Sequence, residues 1–156
     1  MKLYSRKMTR ELALDILNWQ YAPPYDLYNN EVTDDAIYEL LNEGYTAVED
    51  ETGTLIGFYC SGDSAQVPAG RMLGAYTEPA IDVGIGMHPK LTGKGKGYLF
   101  FSFVLNELTA LGSHSIFRLT VARFNTRAIK LYEKMGFREK YHFKTDINEF
   151  IIMLKW

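Results

Sequence analysis

The chain has 156 residues, of which 47% are hydrophobic and 14% aromatic, enough for one globular domain with a core of its own. Seventeen basic side chains face nineteen acidic ones, a formal net charge of -2, so no field of one sign draws the whole molecule to nucleic acid or to an anionic membrane. The lone cysteine, Cys60, excludes an intrachain disulfide and a cysteine-based metal site, and reads as a reduced, half-buried thiol.

In chain order, the N-terminus "MKLYSRKMTREL" lacks the apolar stretch of a secretion signal, which makes a cytoplasmic location the default expectation. "KLYSRKM" reads as a short strand. Thr9 is a natural cap for a first helix carrying Leu12, Ile16 and Trp19 on one face, and Pro23-Pro24 breaks the chain. Thr33 caps a second helix with Asp34 and Asp35 in its first turn, apolar Ile37, Leu40 and Leu41, and Gly44 as its stop. "YTAVE" and "TLIGFYC" form a hairpin about "DETG". The segment from Ser61 to Pro79, rich in Gly, Pro, Ser and Asp without a sustained period, reads as a long loop.

"AIDVGIGM" is then a strand, and Tyr98 to Leu111 a strongly apolar helix that Gly112 ends. "SIFRLTVA" is another strand. Asn125 caps a helix whose Ala128, Leu131, Tyr132 and Met135 lie at i, i+3, i+4 and i+7, with Gly136 as its stop. The tail supplies two closing strands, in "FREKYHF" and "NEFIIMLKW". This alternation after a β-hairpin predicts an α/β domain, residues 1 to 156, with a mixed central sheet.

One stretch carries chemistry. "HPKLTGKGKGY", residues 88 to 98, places Gly93, Gly95 and Gly97 at alternate positions, interleaves Lys94 and Lys96, and opens into a helix. Glycines there let backbone amides approach an anion, and a helix N-terminus carries about half a positive charge. A mobile loop with solvated lysines is the other reading of the same residues. No Ser or Thr follows a Gly-Lys pair as a Walker loop requires, and neither Gly93 nor Gly95 begins a G-x-G-x-x-G dinucleotide fingerprint. Upstream, Gly84 and Gly86 strip one face of the preceding strand near its end, a sign of close approach by a ligand or another backbone. Downstream stands "NTRAIKLYEKMGF".

Taken together, "MHPKLTGKGKG" and "NTRAIKLYEKMGF" resemble the paired signature of the GNAT superfamily of acyl-CoA-dependent N-acetyltransferases. The first is similar to its Q/R-x-x-G-x-G/A loop through Thr92, Gly93, Lys94, Gly95, Lys96 and Gly97. The second is similar to its N-x-x-A-x-x-L-Y-x-x-x-G-F helix through Asn125, Ala128, Leu131, Tyr132, Gly136 and Phe137. Thr92 departs from the pattern, where Gln or Arg is usual. The resemblance covers roughly residues 80 to 140. It implies a GNAT-like fold with six to seven strands in a mixed sheet, a splay between the fourth and fifth strands, and about four helices.

It also implies roles. The backbone from Ile85 to Met87 would pair with the pantetheine arm of acetyl-CoA, with the bare Gly84 and Gly86 face as room for an acceptor. Residues Thr92 to Gly97 would receive the pyrophosphate, and Asn125 and Tyr132 would contact the arm and its sulfur. Asn125 is also a good helix cap, and Tyr132 also lies on an apolar helix face. Acetyl transfer needs a neutral amine, and at pH 7 only about one lysine-like amine in 2,500 is neutral, so a base is expected. Asp82 shares a period-2 face with Gly84 and Gly86 and is the first candidate, although a solvated strand-end carboxylate is an equal reading; Glu78 or a water is the alternative. Backbone near Met87 would supply an N–H to the developing oxyanion, and Tyr132 would stabilise the departing thiolate.

The acceptor side is expected in "NWQYAPPYDLYNNE", where Trp19, Tyr21, Tyr25 and Tyr28 with Asp26 and Glu31 would make an aromatic, acidic lip for a cationic amine, or pack on the core instead. His88, His114 and His142 have no metal-ligand spacing and read as surface or strand histidines. The expected reaction is direct transfer from acetyl-CoA to a primary amine of a small molecule, with no metal, nucleic acid or membrane, in a monomer or homodimer. The alternatives are a protein N-terminal acetyltransferase and a non-catalytic acyl-CoA sensor.

Overall fold

The computed structural model describes residues 1–110 and 116–156. The expected helix stop at Gly112, the start of "SIFRLTVA" at Ser115, and His114 lie outside the described residues. Among the described residues seven strands, β1 (Leu3–Lys7), β2 (Tyr45–Asp50), β3 (Leu55–Ser61), β4 (Ile81–Met87), β5 (Phe117–Ala122), β6 (Arg138–Lys144) and β7 (Glu149–Lys155), form one mixed sheet in the order β1-β2-β3-β4-β5-β7-β6. Five α-helices accompany them among the described residues: α1 (Arg10–Leu17), α2 (Asp34–Asn42), α3 (Pro68–Met72), α4 (Gly97–Ala110) and α5 (Thr126–Lys134). The chain forms two compact units, residues 1–60 with 85–103, and residues 61–84 with 104–156.

In the first unit the caps act as the sequence predicts. Thr9 Oγ1 accepts from the Leu12 amide at 3.2 Å and Thr33 Oγ1 from the Ala36 amide at 3.1 Å. Helices α1 and α2 bury Ala13, Ile16, Leu17, Ile37 and Leu40 in one cluster with Met8, Trp19 and Ala47. Trp19 lies beyond the last turn of α1 rather than on it. β1, β2 and β3 are antiparallel neighbours, and Asp50 closes the β2–β3 turn by accepting from the Thr52 and Thr54 amides.

Glycines let β3 and β4 pack closely. A Cβ at Gly57 would meet the Gly86 carbonyl oxygen at 2.5 Å and the Phe100 ring at 2.6 Å, and a Cβ at Gly86 would clash with the Phe58 ring. The side-chain-free surface expected to make room for an acceptor is thus filled at Gly86 by Phe58. That ring also packs with Trp19 and Tyr45, each at a centroid distance of 5.9 Å.

In the second unit β5 pairs antiparallel with β7 over six registers, and β7 with β6. Leu119, Val121, Ile151, Ile152, Met153 and Leu154 are all buried. Successive buried residues in one strand mean that both faces of this part of the sheet are covered, and hence its near-continuous apolar runs.

The segment expected as a loop holds a 3-10 turn, Gly62–Ala65, and α3. Pro68 opens α3, where its missing N–H costs nothing. Gly70 lets α3 sit against Tyr76 and Phe143, which a Cβ would meet at 2.9 Å. This short helix raises the count from the expected four to five.

Gly86→Ala is expected to destabilise the protein by about 1–3 kcal/mol through overpacking. Thermal unfolding checks it: the melting temperature should fall by several degrees, and Phe58→Leu in the same chain should restore part of the loss.

Candidate functional site

The glycine loop is set up by β4. The His88 amide donates to the Ile56 carbonyl of β3 at 2.8 Å. Along a strand such groups alternate sides, so the amides and carbonyls of Ile85 and Met87 turn to the edge away from β3. At that edge the Tyr21 hydroxyl donates to the Met87 carbonyl at 2.8 Å. Tyr21 is itself held by its own amide, which donates to Asn29 Oδ1 at 2.8 Å. The Met87–His88 peptide is therefore bonded through both its carbonyl and its N–H.

His88 packs on the Trp19 ring with centroids 5.2 Å apart, and its Nδ1 accepts from the Lys90 amide at 3.1 Å. In the neutral ring this leaves the proton on Nε2. Burial pushes the His88 pKa below its ordinary value, and the Lys90 ammonium adds to the shift.

Beyond a 3-10 turn, Pro89–Leu91, the chain enters the loop. Gly93 and Gly95 have φ of 72° and 74°, the left-handed region that other residues rarely adopt, and open space lies where a Cβ of Gly95 would project. Residues 93 to 96 are exposed, with Lys94 and Lys96 among them. Gly97 opens α4, whose first turn presents N–H groups without intrahelical acceptors. Left-handed glycines ahead of a helix N-terminus make a concavity of amides suited to an anion. Thr92, the residue that departs from the family pattern, donates its hydroxyl to the Pro89 carbonyl at 2.8 Å and so closes the preceding turn.

In the second unit Asp82 is neither solvated nor open. Asp82 and Arg118 are each 3% exposed. Arg118 Nε donates to Asp82 Oδ1 at 2.6 Å and Nη2 to Oδ2 at 2.8 Å, while Gln66 Nε2 also donates to Oδ2 at 2.8 Å. The third guanidinium nitrogen, Nη1, donates to the Glu78 carbonyl at 2.7 Å. The hydrogen bonds to Asp82 raise the Arg118 pKa against the opposing effect of burial. The Glu78 side chain is exposed.

The second sequence motif acts as a helix and its stop. Asn125 Oδ1 accepts from the Ala128 amide at 3.1 Å and so caps α5. At the other end Gly136 has φ of 98°, its amide donates to the Glu133 carbonyl at 3.1 Å, and the Phe137 amide donates to the Tyr132 carbonyl at 3.0 Å. This pair of bonds is a Schellman motif, and the hydrophobic contact that accompanies it is Tyr132 against Phe137, with centroids 6.1 Å apart. Lys155 Nζ adds a bond to the Met135 carbonyl at 2.7 Å, a cation at the negative end of the helix.

The expected aromatic lip divides. Trp19 is buried and Tyr21 holds β4, whereas Tyr28, Asp26 and Glu31 are exposed and Tyr25 is half-buried in a 3-10 turn. Sequence reasoning missed Arg118, Gln66 and Tyr76. The signal for the first was present, a single arginine inside the apolar run "SIFRLTVA", since a charge at a buried strand position requires a partner.

A family model described as the acetyltransferase (GNAT) family matches residues 11–137. No curated protein matches the sequence. Among solved structures, a chimera of spermidine N-acetyltransferase SpeG from Vibrio cholerae and hSSAT is similar at a TM-score of 0.74 and 22% identity, covering 99% of this chain and 95% of that one. A putative GnaT-family acetyltransferase from Bordetella pertussis superposes with TM-score 0.74 at 12% identity, covering 99% and 96%. A GNAT-family acetyltransferase from Bacillus anthracis gives 0.72 at 16%, covering 99% and 94%. At these identities the likeness is one of fold.

The lowered His88 pKa fixes a sign. The folded state favours the neutral ring, so the stability His88 contributes is complete above its ordinary value of 6.5 and is lost as pH falls through the lower folded value. An NMR titration should place the His88 midpoint below 6.5, Lys90→Gln should move it upward, and His88→Asn should flatten the acid limb of the stability profile.

Proposed function

Because the chain belongs to the GNAT family of acetyltransferases, we propose that it moves an acetyl group from acetyl-CoA directly to a primary amine of a small molecule. The observation that carries this reading is the exposed glycine loop, with left-handed Gly93 and Gly95 leading into α4. It fits a pyrophosphate: the left-handed backbone turns successive amides to one side, and two lysines supply countercharge. Since Thr92 turns its hydroxyl to Pro89, amides and lysines do the holding.

Acetyl-CoA supplies the activated acyl group as a thioester. On the protein side, the edge of β4 offers backbone groups from Ile85 to Met87 for the pantetheine arm. The Tyr21 hydroxyl already occupies the Met87 carbonyl, so in this reading the Ile85 carbonyl and the Met87 N–H serve the arm and the developing negative charge. Tyr132 donates a hydrogen bond to the leaving sulfur. Full proton transfer from a phenol of pKa about 10 to a thiolate of about 8.5 is uphill by about 2 kcal/mol, so the hydrogen bond is the contribution. Asn125 contacts the arm of acetyl-CoA beside its capping role.

The amine must arrive neutral or lose its proton in place. With both oxygens of Asp82 engaged by Arg118 and Gln66, we assign that proton to water rather than to Asp82. The exposed Asp26 and Glu31 favour a cationic amine, and the likeness in fold to a spermidine N-acetyltransferase chimera supports an amine acceptor of that kind.

Thiol release on mixing acetyl-CoA with a panel of small amines, polyamines and peptides tests the proposal. Turnover with a small amine is expected; CoA binding without turnover on any amine, or turnover on peptides alone, would overturn it. Gly95→Glu should abolish CoA binding, since it forces a side chain onto a left-handed backbone and sets an anion beside the pyrophosphate. Tyr132→Phe should lower kcat by about tenfold or more at an unchanged KM for acetyl-CoA.

A further inference from the structure

The ladder between β4 and β5 is parallel and, among the described residues, comprises two register pairs, Ile81↔Phe117 and Asp82↔Arg118. β4 continues to Met87 and β5 to Ala122. The last of these register pairs is thus the buried ion pair. So short a parallel ladder specifies its register weakly through the backbone, and a one-residue slip exchanges the two faces of a strand. A guanidinium fork meeting a carboxylate through two parallel bonds has one good geometry, and fixing register is the best-attested use of buried ionic groups.

The surroundings extend this grip. Gln66, bonded to Asp82, accepts from Arg71 Nε at 2.7 Å, and Arg71 Nη2 donates to the Asp63 carbonyl at 2.8 Å. The Tyr76 ring lies 5.1 Å from the Arg118 guanidinium. Its hydroxyl is 2.7 Å from Thr120 Oγ1, two residues further along β5, and accepts from the Val67 amide at 3.0 Å. The whole connection from β3 to β4 is thereby tied to β5 where the ladder ends.

We propose that Asp82 and Arg118, seated by Gln66 and Tyr76, are positioning residues that set the register of β4 and so the aim of its Ile85–Met87 backbone groups, three residues downstream of Asp82. This rests on the acyl-CoA reading of that backbone. It replaces a catalytic carboxylate with a clamp that never touches substrate.

The double variant Asp82→Leu with Arg118→Met removes both charges together, which a buried pair often tolerates. It is read by melting temperature, by KM and kcat, and by hydrogen exchange at the Ile81 amide, which donates to the Ile116 carbonyl at 2.8 Å. The clamp predicts near-native melting, a rise in the KM for acetyl-CoA of about fivefold or more, and faster exchange at Ile81. Tyr76→Phe, which keeps the ring and drops the hydroxyl, should move KM and exchange in the same direction by less, and it carries the test if the double variant does not fold.

Native KM and native exchange in the double variant would overturn the proposal. So would Asp82→Asn with unchanged KM, collapsed kcat and a lost acidic limb in the pH profile, the signature of a base. If the natural protein neither binds nor turns over acetyl-CoA, the functional reading fails, and exchange at Ile81 still decides the clamp.

Discussion

The early end of the β4–β5 ladder is the constraint on which the rest depends. Parallel strands normally exchange hydrogen bonds along their whole length, and buried backbone groups deprived of a partner are costly. A sheet whose central ladder stops after Asp82↔Arg118 must find other partners for the remaining backbone or leave it to water and ligand. At the last shared register stands an interaction with one good geometry, a guanidinium fork on a carboxylate. Burial of the pair raises what is at stake: with both members 3% exposed, losing one leaves a charge in a poorly solvating interior.

The second unit also shows how one short motif answers two demands. In "NTRAIKLYEKMGF" the asparagine begins α5 and the Gly-Phe pair ends it, so the spacing between Asn125 and Phe137 is the length of a capped helix. Tyr132 sits at the position whose carbonyl receives the Phe137 amide, with its ring against the Phe137 ring. Any use of the Tyr132 hydroxyl is therefore made from a side chain whose place is fixed by the helix terminus itself. Precision of this kind comes from local backbone chemistry and needs no distant support.

Much of this was legible in the sequence for identifiable reasons. Caps at Thr9, Thr33 and Asn125 announce themselves because one short polar side chain satisfies one nearby amide. Strand and helix periods are likewise local. What escaped was non-local pairing: a carboxylate at residue 82 meeting a guanidinium at 118, a tyrosine at 76 bonding a threonine at 120, and a phenylalanine at 58 filling the space above a glycine at 86. In each case the partner lies on another element, so neither residue's neighbours in sequence reveal it. Asp82 is the clearest case: a strand carboxylate beside two glycines looks open in sequence, and the arginine that pairs with it in the interior lies on another strand. Helix α3 escaped for a different reason, being five residues long with a glycine at its centre, too short to show a period.

The hydroxyl of Tyr21 on the Met87 carbonyl bears on how such a protein can diversify. The segment after α1 is a natural place for sequence drift, since loops carry specificity and tolerate change. Here that freedom has a tether. A loop transplanted from another scaffold without a donor at residue 21 would bring its own preferences and also release the strand end that the original loop held. On the proposed reading of that segment as the acceptor side, acceptor choice and strand geometry are inherited together rather than as separate modules, and substitutions around residues 25 to 31 that leave Tyr21 and Asn29 in place are the least encumbered route to a new specificity.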